Sequence, residues 1–367
     1  MNGLDFASCP VRHLYVHLPF CAHRCGYCDF VTVTGHDDVH AAYVDALLAE
    51  LALHGPLAPE TVYVGGGTPS ILADDLLARL LAGLPGALEV TVECNPETIT
   101  AAKARALREG GVNRISLGAQ SFQPHLLETL ERRARPETVA TAVEMLRAEG
   151  HENVNLDLMF GVPGQSRSDL QADIEGVLAH APEHVSWYEL EAKPGTRFAV
   201  HHGAELARQA EALEDHYETV VAALRGAGYR WYETANFCRP GRESRHNLGY
   251  WLGHDYLGVG VGAVSTLGLV RRRNRPRLRP YLEACAAGRP APAEVEELTA
   301  SERGLERLML GLRLDEPLHL NGLAVLVDDA ACDRLAAAGL VLRDGQTMTL
   351  TERGRFLAND VVASVLR

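Results

Sequence analysis

The chain has 367 residues, of which 47% are hydrophobic and 23% charged, with a formal net charge of −13 at pH 7. This is the composition of an ordinary globular protein with ample core, and the acidic balance excludes a general nucleic-acid binder, which needs a basic surface. No apolar run reaches the roughly 18 residues that span a bilayer. Residues 1–10 show no basic start followed by an apolar core, so no signal peptide is expected. Clustered cysteines without a secretion signal indicate a reducing compartment, so the cytoplasm is expected.

In chain order, Arg12 to Leu18 alternates polar and apolar residues and predicts a short strand. It delivers the stretch His17 to Phe30, in which Cys21, Cys25 and Cys28 have the spacing C-x3-C-x2-C. Three soft thiolates this close point to a metal. They can hold three irons of a [4Fe–4S] cube and leave the fourth iron open, or form a Cys3His zinc site completed by His17 or His23. Spacing alone leaves both readings standing.

Helical spacing then predicts a helix through His54, a strand over Thr61 to Val64, and directly after it Gly65-Gly66-Gly67-Thr68-Pro69. The alternation continues with helices at about 74–84, 100–109, 136–149, 168–180 and 204–226, and strands at 88–93, 114–117, 154–159 and 184–188. Six β–α units predict an α/β protein with a parallel sheet, a partial (β/α)6 TIM-like barrel. Gly65 to Thr68, Glu93, Gln120 and Asp157 all fall at or just after strand ends, where ligand sites of such folds gather.

After Tyr229 the pattern changes. Residues 236–298 read as a connecting region that contains His246-Asn247-x-x-Tyr250-Trp251 and an arginine-rich run, 271–279, expected to be a solvated loop. Residues 299–367 read as helix, helix, hairpin, helix, an α+β winged-helix-like domain. Its mixed charge and lack of a basic recognition helix predict no nucleic-acid partner. The expected division is thus 1–235, 236–298 and 299–367.

Several stretches together resemble a known family. Tyr15-x-His17-x-Pro19-Phe20 before the three cysteines, followed by Gly65 to Pro69, looks like the radical S-adenosylmethionine (radical SAM) superfamily. Val92-Glu-Cys-Asn-Pro96, Gly118-Ala-Gln-Ser-Phe122, the run Asn155 to Gln165 and His246 to Trp251 are similar to one branch of it. That branch contains oxygen-independent coproporphyrinogen III oxidase and the HemW-type haem chaperones. The resemblance implies a [4Fe–4S] cluster on Cys21, Cys25 and Cys28, with S-adenosylmethionine on the open iron. It also implies that Tyr15, Tyr27, Gly66, Gly67, Thr68, Glu93, Gln120, Arg132 and Asp157 contact S-adenosylmethionine.

Within that branch the details favour the chaperone. The oxidase usually carries a cysteine two positions after its third ligand, where this chain has Phe30, and a long N-terminal extension, where only twenty residues precede Cys21. His246, Asn247, Tyr250 and Trp251 match the segment associated with haem binding, with the imidazole a reasonable iron ligand and the rings able to stack on a porphyrin. The expected function is therefore binding haem and handing it to an acceptor, such as a membrane-associated respiratory protein. An electron donor and a second copy of the chain are further expected partners. The alternative is the enzyme, radical decarboxylation of coproporphyrinogen III to protoporphyrinogen IX.

Overall fold

The computed structural model describes residues 11–191 and 193–367. Residues 1–10, read above for a targeting signal, lie outside the described residues. Six strands, β1 (His13–Leu18), β2 (Thr61–Gly66), β3 (Glu89–Cys94), β4 (Arg114–Gln120), β5 (Val154–Phe160) and β6 (His184–Glu189), pair in parallel, each with the next. Helices α1 (His40–Ala52), α2 (Asp74–Gly83), α3 (Ala101–Glu109), α4 (Pro124–Thr129), α5 (Pro136–Ala148), α6 (Arg167–Ala179) and α7 (Arg197–Gly226) cover the outside. This is the predicted partial barrel. Only the short helix α4, which Pro124 opens, and the first turns of α7 were not anticipated.

The strands explain why a barrel forms with something inside it. Parallel sheets usually bury both faces and read as continuous apolar runs. Here every strand alternates instead. Leu14, Val16, Leu18, Val62, Val64, Val92, Ile115, Leu117, Leu156, Leu158, Val185 and Trp187 point outward into one apolar core under the helices. The alternate set points into the lumen, and it is polar or aromatic: His13, Tyr15 and His17; Thr61 and Tyr63; Glu89, Thr91 and Glu93; Arg114 and Ser116; Asn155 and Asp157; His184, Ser186 and Tyr188.

Residues after α7 extend both margins of the sheet. β7 (Arg230–Trp231) and β8 (Asn236–Cys238) add antiparallel strands beside β6. Helix α8 (Arg245–Trp251) leads to β9 (Tyr256–Val259), which returns across the molecule to pair in parallel with β1. β10 (Val264–Leu267), β11 (Val270–Asn274), α9 (Leu278–Ala286) and β12 (Ala293–Glu297) follow. The sheet order is β12-β11-β10-β9-β1-β2-β3-β4-β5-β6-β8-β7.

One expectation is corrected here. The arginine-rich run is not a solvated loop, because Arg271, Arg272 and Arg273 lie in β11. Carboxylates claim two of them: Arg271 donates to the half-buried Glu306 at 2.8 Å, and Arg272 faces the buried Glu50. Glu50 in turn accepts from Asn274, Tyr281 and the Gly260 N–H.

The C-terminal part consists of α10 (Ala300–Gly311), β13 (Leu318–His319), α11 (Asp329–Ala337), β14 (Val341–Arg343), β15 (Thr347–Leu350), α12 (Glu352–Phe356) and α13 (Ala358–Val365). Its three strands form a separate antiparallel sheet over a small core of Leu308, Val327, Met348 and Val361. Thr299 caps α10 with a capping box through Glu302. Arg230 joins this part to the barrel with a two-pronged bond to Asp315, and Arg355 stacks 3.6 Å over the Trp231 ring.

Candidate cofactor site

The cysteine loop is closed at its base by two backbone bonds, Cys21 N–H to Val33 O at 3.0 Å and Val33 N–H to Pro19 O at 2.8 Å. Gly67 and Thr68 stitch the next strand end to it, with Gly67 N–H on Leu18 O at 2.7 Å and Thr68 N–H on Phe20 O at 2.8 Å. This approach requires glycine. A Cβ at Gly67 would lie 2.6 Å from the Phe20 carbonyl oxygen, and Gly66 has φ +117° with the His17 ring 2.5 Å from where its Cβ would be.

Cys21, Cys25 and Cys28 are unpaired, partly exposed and on the wall of one cavity. Burial pushes the Cys21 and Cys28 thiols above their ordinary range, so a bound cation is what would favour their thiolates. Among the described residues, no three Cys, His, Asp or Glu side chains converge on a single ion position. A cube does not need such convergence, since each thiolate binds its own iron. The donor set fits a cluster better than it fits mononuclear zinc.

The cavity has a volume of about 480 Å³. It is lined by the three cysteines and by Tyr27, Gly66, Gly67, Thr68, Glu93, Gln120, Arg132 and Asp157, and at its lower end by Asn247. Most of the residues implied by the family resemblance thus share one space. Tyr15 does not reach the wall; it stands behind Tyr63, stacked on that ring, with its hydroxyl on His17 Nδ1 at 3.0 Å.

Glu93 accepts from the Tyr63 hydroxyl at 2.8 Å and from the Gly66 N–H at 2.9 Å. Burial outweighs these bonds and pushes its carboxyl up to about 7. Asp157, bonded by Asn155 and Ser116, is raised for the same reason. Arg132 belongs to the wall, although its surroundings in the sequence read as surface. Its Nη2 bridges Asn95 Oδ1 at 2.8 Å and Gly118 O at 3.0 Å, while its buried Nε has no partner. Asn95 passes the bracket on to Thr68, which lies 3.6 Å from Cys21 Sγ.

These groups fit S-adenosylmethionine. An orphaned guanidinium N–H suits a carboxylate, and the carboxyl oxygens of Glu93 and Asp157 suit an ammonium or ribose hydroxyls. Asn95, Tyr63 and Arg114 also line the cavity and were not predicted. The signal for Arg114 was strand parity, since it shares the inward register with Ser116.

His246, Asn247, Tyr250 and Trp251 lie at the other end of the barrel. Helix α8 forms its floor, with the N–H groups of Arg245 and His246 donating to Glu89 at 2.9 and 3.0 Å. Asn247 alone of the four reaches the cavity. Tyr250 packs edge-on against Tyr256, and Trp251 is half-buried.

His246 ends a hydrogen-bonded chain. Arg12 donates to His254 Nε2 at 3.0 Å, and because arginine can only donate, His254 must carry its proton on Nδ1. His254 then donates to His13 Nε2, His13 Nδ1 to Thr61, Thr61 to His246 Nδ1, and His246 Nε2 to the Tyr250 hydroxyl, over 2.7 to 3.0 Å. Burial holds His13 down at about 4 and His246 at about 3, so both are neutral. One nitrogen of His246 accepts and the other carries a proton. In this arrangement neither offers a lone pair to iron.

Gly249 permits the floor. Its Cβ would fall 2.4 Å from His13 Nε2. Gly249→Ala is expected to lower stability by about 1–3 kcal/mol in chemical denaturation, whereas Gly203→Ala, where a Cβ meets open space on α7, should be neutral or better.

A model of the Radical SAM superfamily matches residues 15–176. The chain belongs to this superfamily. Heme chaperone HemW of Mycobacterium tuberculosis (strain CDC 1551) is 40% identical over 369 residues, which cover 96% of this chain and 94% of its own. HemW of Bacillus subtilis (strain 168) is 34% identical over 97% of this chain and 99% of its own, and that of Escherichia coli K12 is 32% identical over 96% and 97%. Within the superfamily, the chain belongs to the HemW family. The solved structure of coproporphyrinogen III oxidase (HemN) from Escherichia coli superposes with a TM-score of 0.83 over 97% of this chain and 90% of its own, at 24% identity, and has the same fold.

Proposed function

We propose that this protein is a haem chaperone of the cytoplasm, carrying a [4Fe–4S] cluster and S-adenosylmethionine, that passes haem to an acceptor protein. The observation that carries this reading is similarity along nearly the whole chain to relatives named heme chaperone HemW. No helix among the described residues is long and apolar enough to cross a membrane. Phe30 supports the chaperone over the oxidase. At the position where the oxidase usually has a cysteine, it stands 63% exposed at the cavity mouth, an apolar group with no thiol chemistry.

When bound, the cluster and S-adenosylmethionine supply reductive one-electron cleavage of a sulfonium. The chain holds them in place: Cys21, Cys25 and Cys28 bind iron, Arg132 takes the methionine carboxylate, and Glu93 and Asp157 receive an ammonium or ribose hydroxyls. A cation arriving beside Glu93 lowers its pKa, so binding near pH 7 releases part of a proton. Haem contact through His246 requires α8 to lift from the floor, so that Thr61 or Tyr250 releases a ring nitrogen.

The test is a paired anaerobic assay on cluster-reconstituted protein. One arm titrates haem and follows the Soret band. The other supplies coproporphyrinogen III, S-adenosylmethionine and a reductant. Stoichiometric haem binding without protoporphyrinogen is expected, and substrate-dependent protoporphyrinogen would replace the chaperone with the oxidase.

A further inference from the structure

The hydrogen-bonded chain that occupies both nitrogens of His246 treats His254 differently. His254 carries its proton on Nδ1 and gives it to His13, so its Nε2 keeps a lone pair. That is how an iron-ligating imidazole is held, with the ring fixed by the hydrogen bond its other nitrogen donates. Among the described residues only Arg12 bonds this Nε2, through Nη1 at 3.0 Å. The Arg12 side chain is 42% exposed and holds Glu60 with its other two nitrogens at 2.7 and 3.1 Å. It can therefore leave His254 without losing its carboxylate.

His254 lines a cleft of about 410 Å³ where α8, β9 and β11 meet α10, and no residue of β1 to β6 belongs to its wall. Tyr250, Tyr256, Met309 and Leu310 make that wall apolar and aromatic. Its own arginines are matched, Arg271 by Glu306 and Arg303 by Asp255 and Glu306. Met309 is 41% exposed, and so is 39% of Leu252, next to Gly253 of the wall, so large apolar side chains stand in solvent at its rim. Burial first, then the charges of Arg12 and Arg307, lower the pKa of His254 against the pull of Glu60 and Asp255, and the ring stays neutral. Arg307 is exposed on α10 and has no carboxylate partner among the described residues.

We propose that this outer cleft seats haem, with His254 Nε2 and Met309 Sδ as the iron ligands and Arg307 on a propionate. The donor set selects the occupant. An imidazole and a thioether on one cleft are an axial pair for haem iron, tyrosine rings pack against a porphyrin, and an unmatched guanidinium beside the imidazole complements a carboxylate. Iron takes the place of Arg12 on Nε2, and no proton has to leave the ring. A cleft at the surface leaves one edge of the porphyrin within reach of an acceptor. The inference rests on the chaperone reading, and it lets haem be held while α8 stays on the floor.

The experiment titrates haem anaerobically into cluster-loaded wild type, His254→Ala, Met309→Leu and Arg307→Gln, and follows the Soret and visible bands. Wild type should bind one haem per chain with a six-coordinate, low-spin spectrum. His254→Ala should lose that spectrum. Met309→Leu should keep the haem but turn it five-coordinate and high-spin. Arg307→Gln should keep the spectrum and lower the preference for haem over haem dimethyl ester by about twofold to fivefold, the worth of an exposed ion pair.

A wild-type spectrum in His254→Ala or in Met309→Leu overturns the seat and leaves the chaperone reading standing, because haem is then held elsewhere. Should His254→Ala fail to fold, Met309→Leu decides alone, since Met309 is exposed and its loss disturbs no core. A wild type that binds no haem overturns the seat together with the chaperone reading, so the two failures are told apart by the wild-type titration.

Discussion

Replacing Glu93 by glutamine is expected to stabilise the protein at pH 8 by about 2.5 kcal/mol more than it does at pH 5. The folded-state pKa of about 7 lies above the ordinary 4.5, and each unit is worth about 1.36 kcal/mol. The stability linked to this proton is therefore fully present below pH 4.5 and is lost as pH rises through 7. Glutamine cannot ionise, keeps an oxygen for the Gly66 N–H or the Tyr63 hydroxyl, and so escapes the loss. Chemical denaturation of both proteins at the two pH values reads the difference directly, with other titrating groups cancelling between them. The same substitution should weaken S-adenosylmethionine, because the cation loses its charged partner. Equal stabilisation at both pH values would mean that Glu93 is not held protonated by its burial.

Gly67→Ala is expected to abolish most cluster loading without touching an iron ligand. The added methyl would press on the carbonyls of Pro19 and Phe20, at 2.8 and 2.6 Å, and these are backbone atoms with no side chain to swing away. The strand end must then part from the cysteine loop, breaking the bonds from Gly67 to Leu18 and from Thr68 to Phe20. Iron and acid-labile sulfide per chain, measured after anaerobic reconstitution, should fall to a small fraction of wild type, and stability should drop by about 1–3 kcal/mol. Gly86→Ala, where a Cβ meets nothing within 4 Å, is the matched control and should load normally. Normal loading in Gly67→Ala would show that the loop seats the cluster independently of β2.

The upper site was largely legible in the sequence because its signals are local. Three cysteines in eight residues, a glycine run at a strand end and carboxylates at strand ends need no knowledge of distant partners. The alternating strands also announced themselves, as in His13 to Leu18, although the polar half was not recognised as a lumen. What escaped depends on long-range closure. Nothing near His246 in the sequence says that Thr61 and Tyr250 occupy its nitrogens, since Thr61 is 185 residues away. The arginines of β11 read as loop because the carboxylates that receive them, Glu50 and Glu306, come from α1 and α10. Arg132 looked superficial within its charged run until Asn95 and Gly118 drew it inward.

The return of β9 to β1 has a consequence for how the molecule is made. β1 lies inside the sheet, yet one flank waits for Tyr256–Val259, which pairs with His13–Val16. At about 5–20 residues per second, a ribosome needs roughly 10–40 s to produce that second flank after the first. Throughout this interval the nascent chain presents an open strand edge beside its three thiols, and the floor helix has not yet been synthesised for most of it. The barrel can therefore be completed only late in translation, and cluster insertion into a finished lumen belongs after that point.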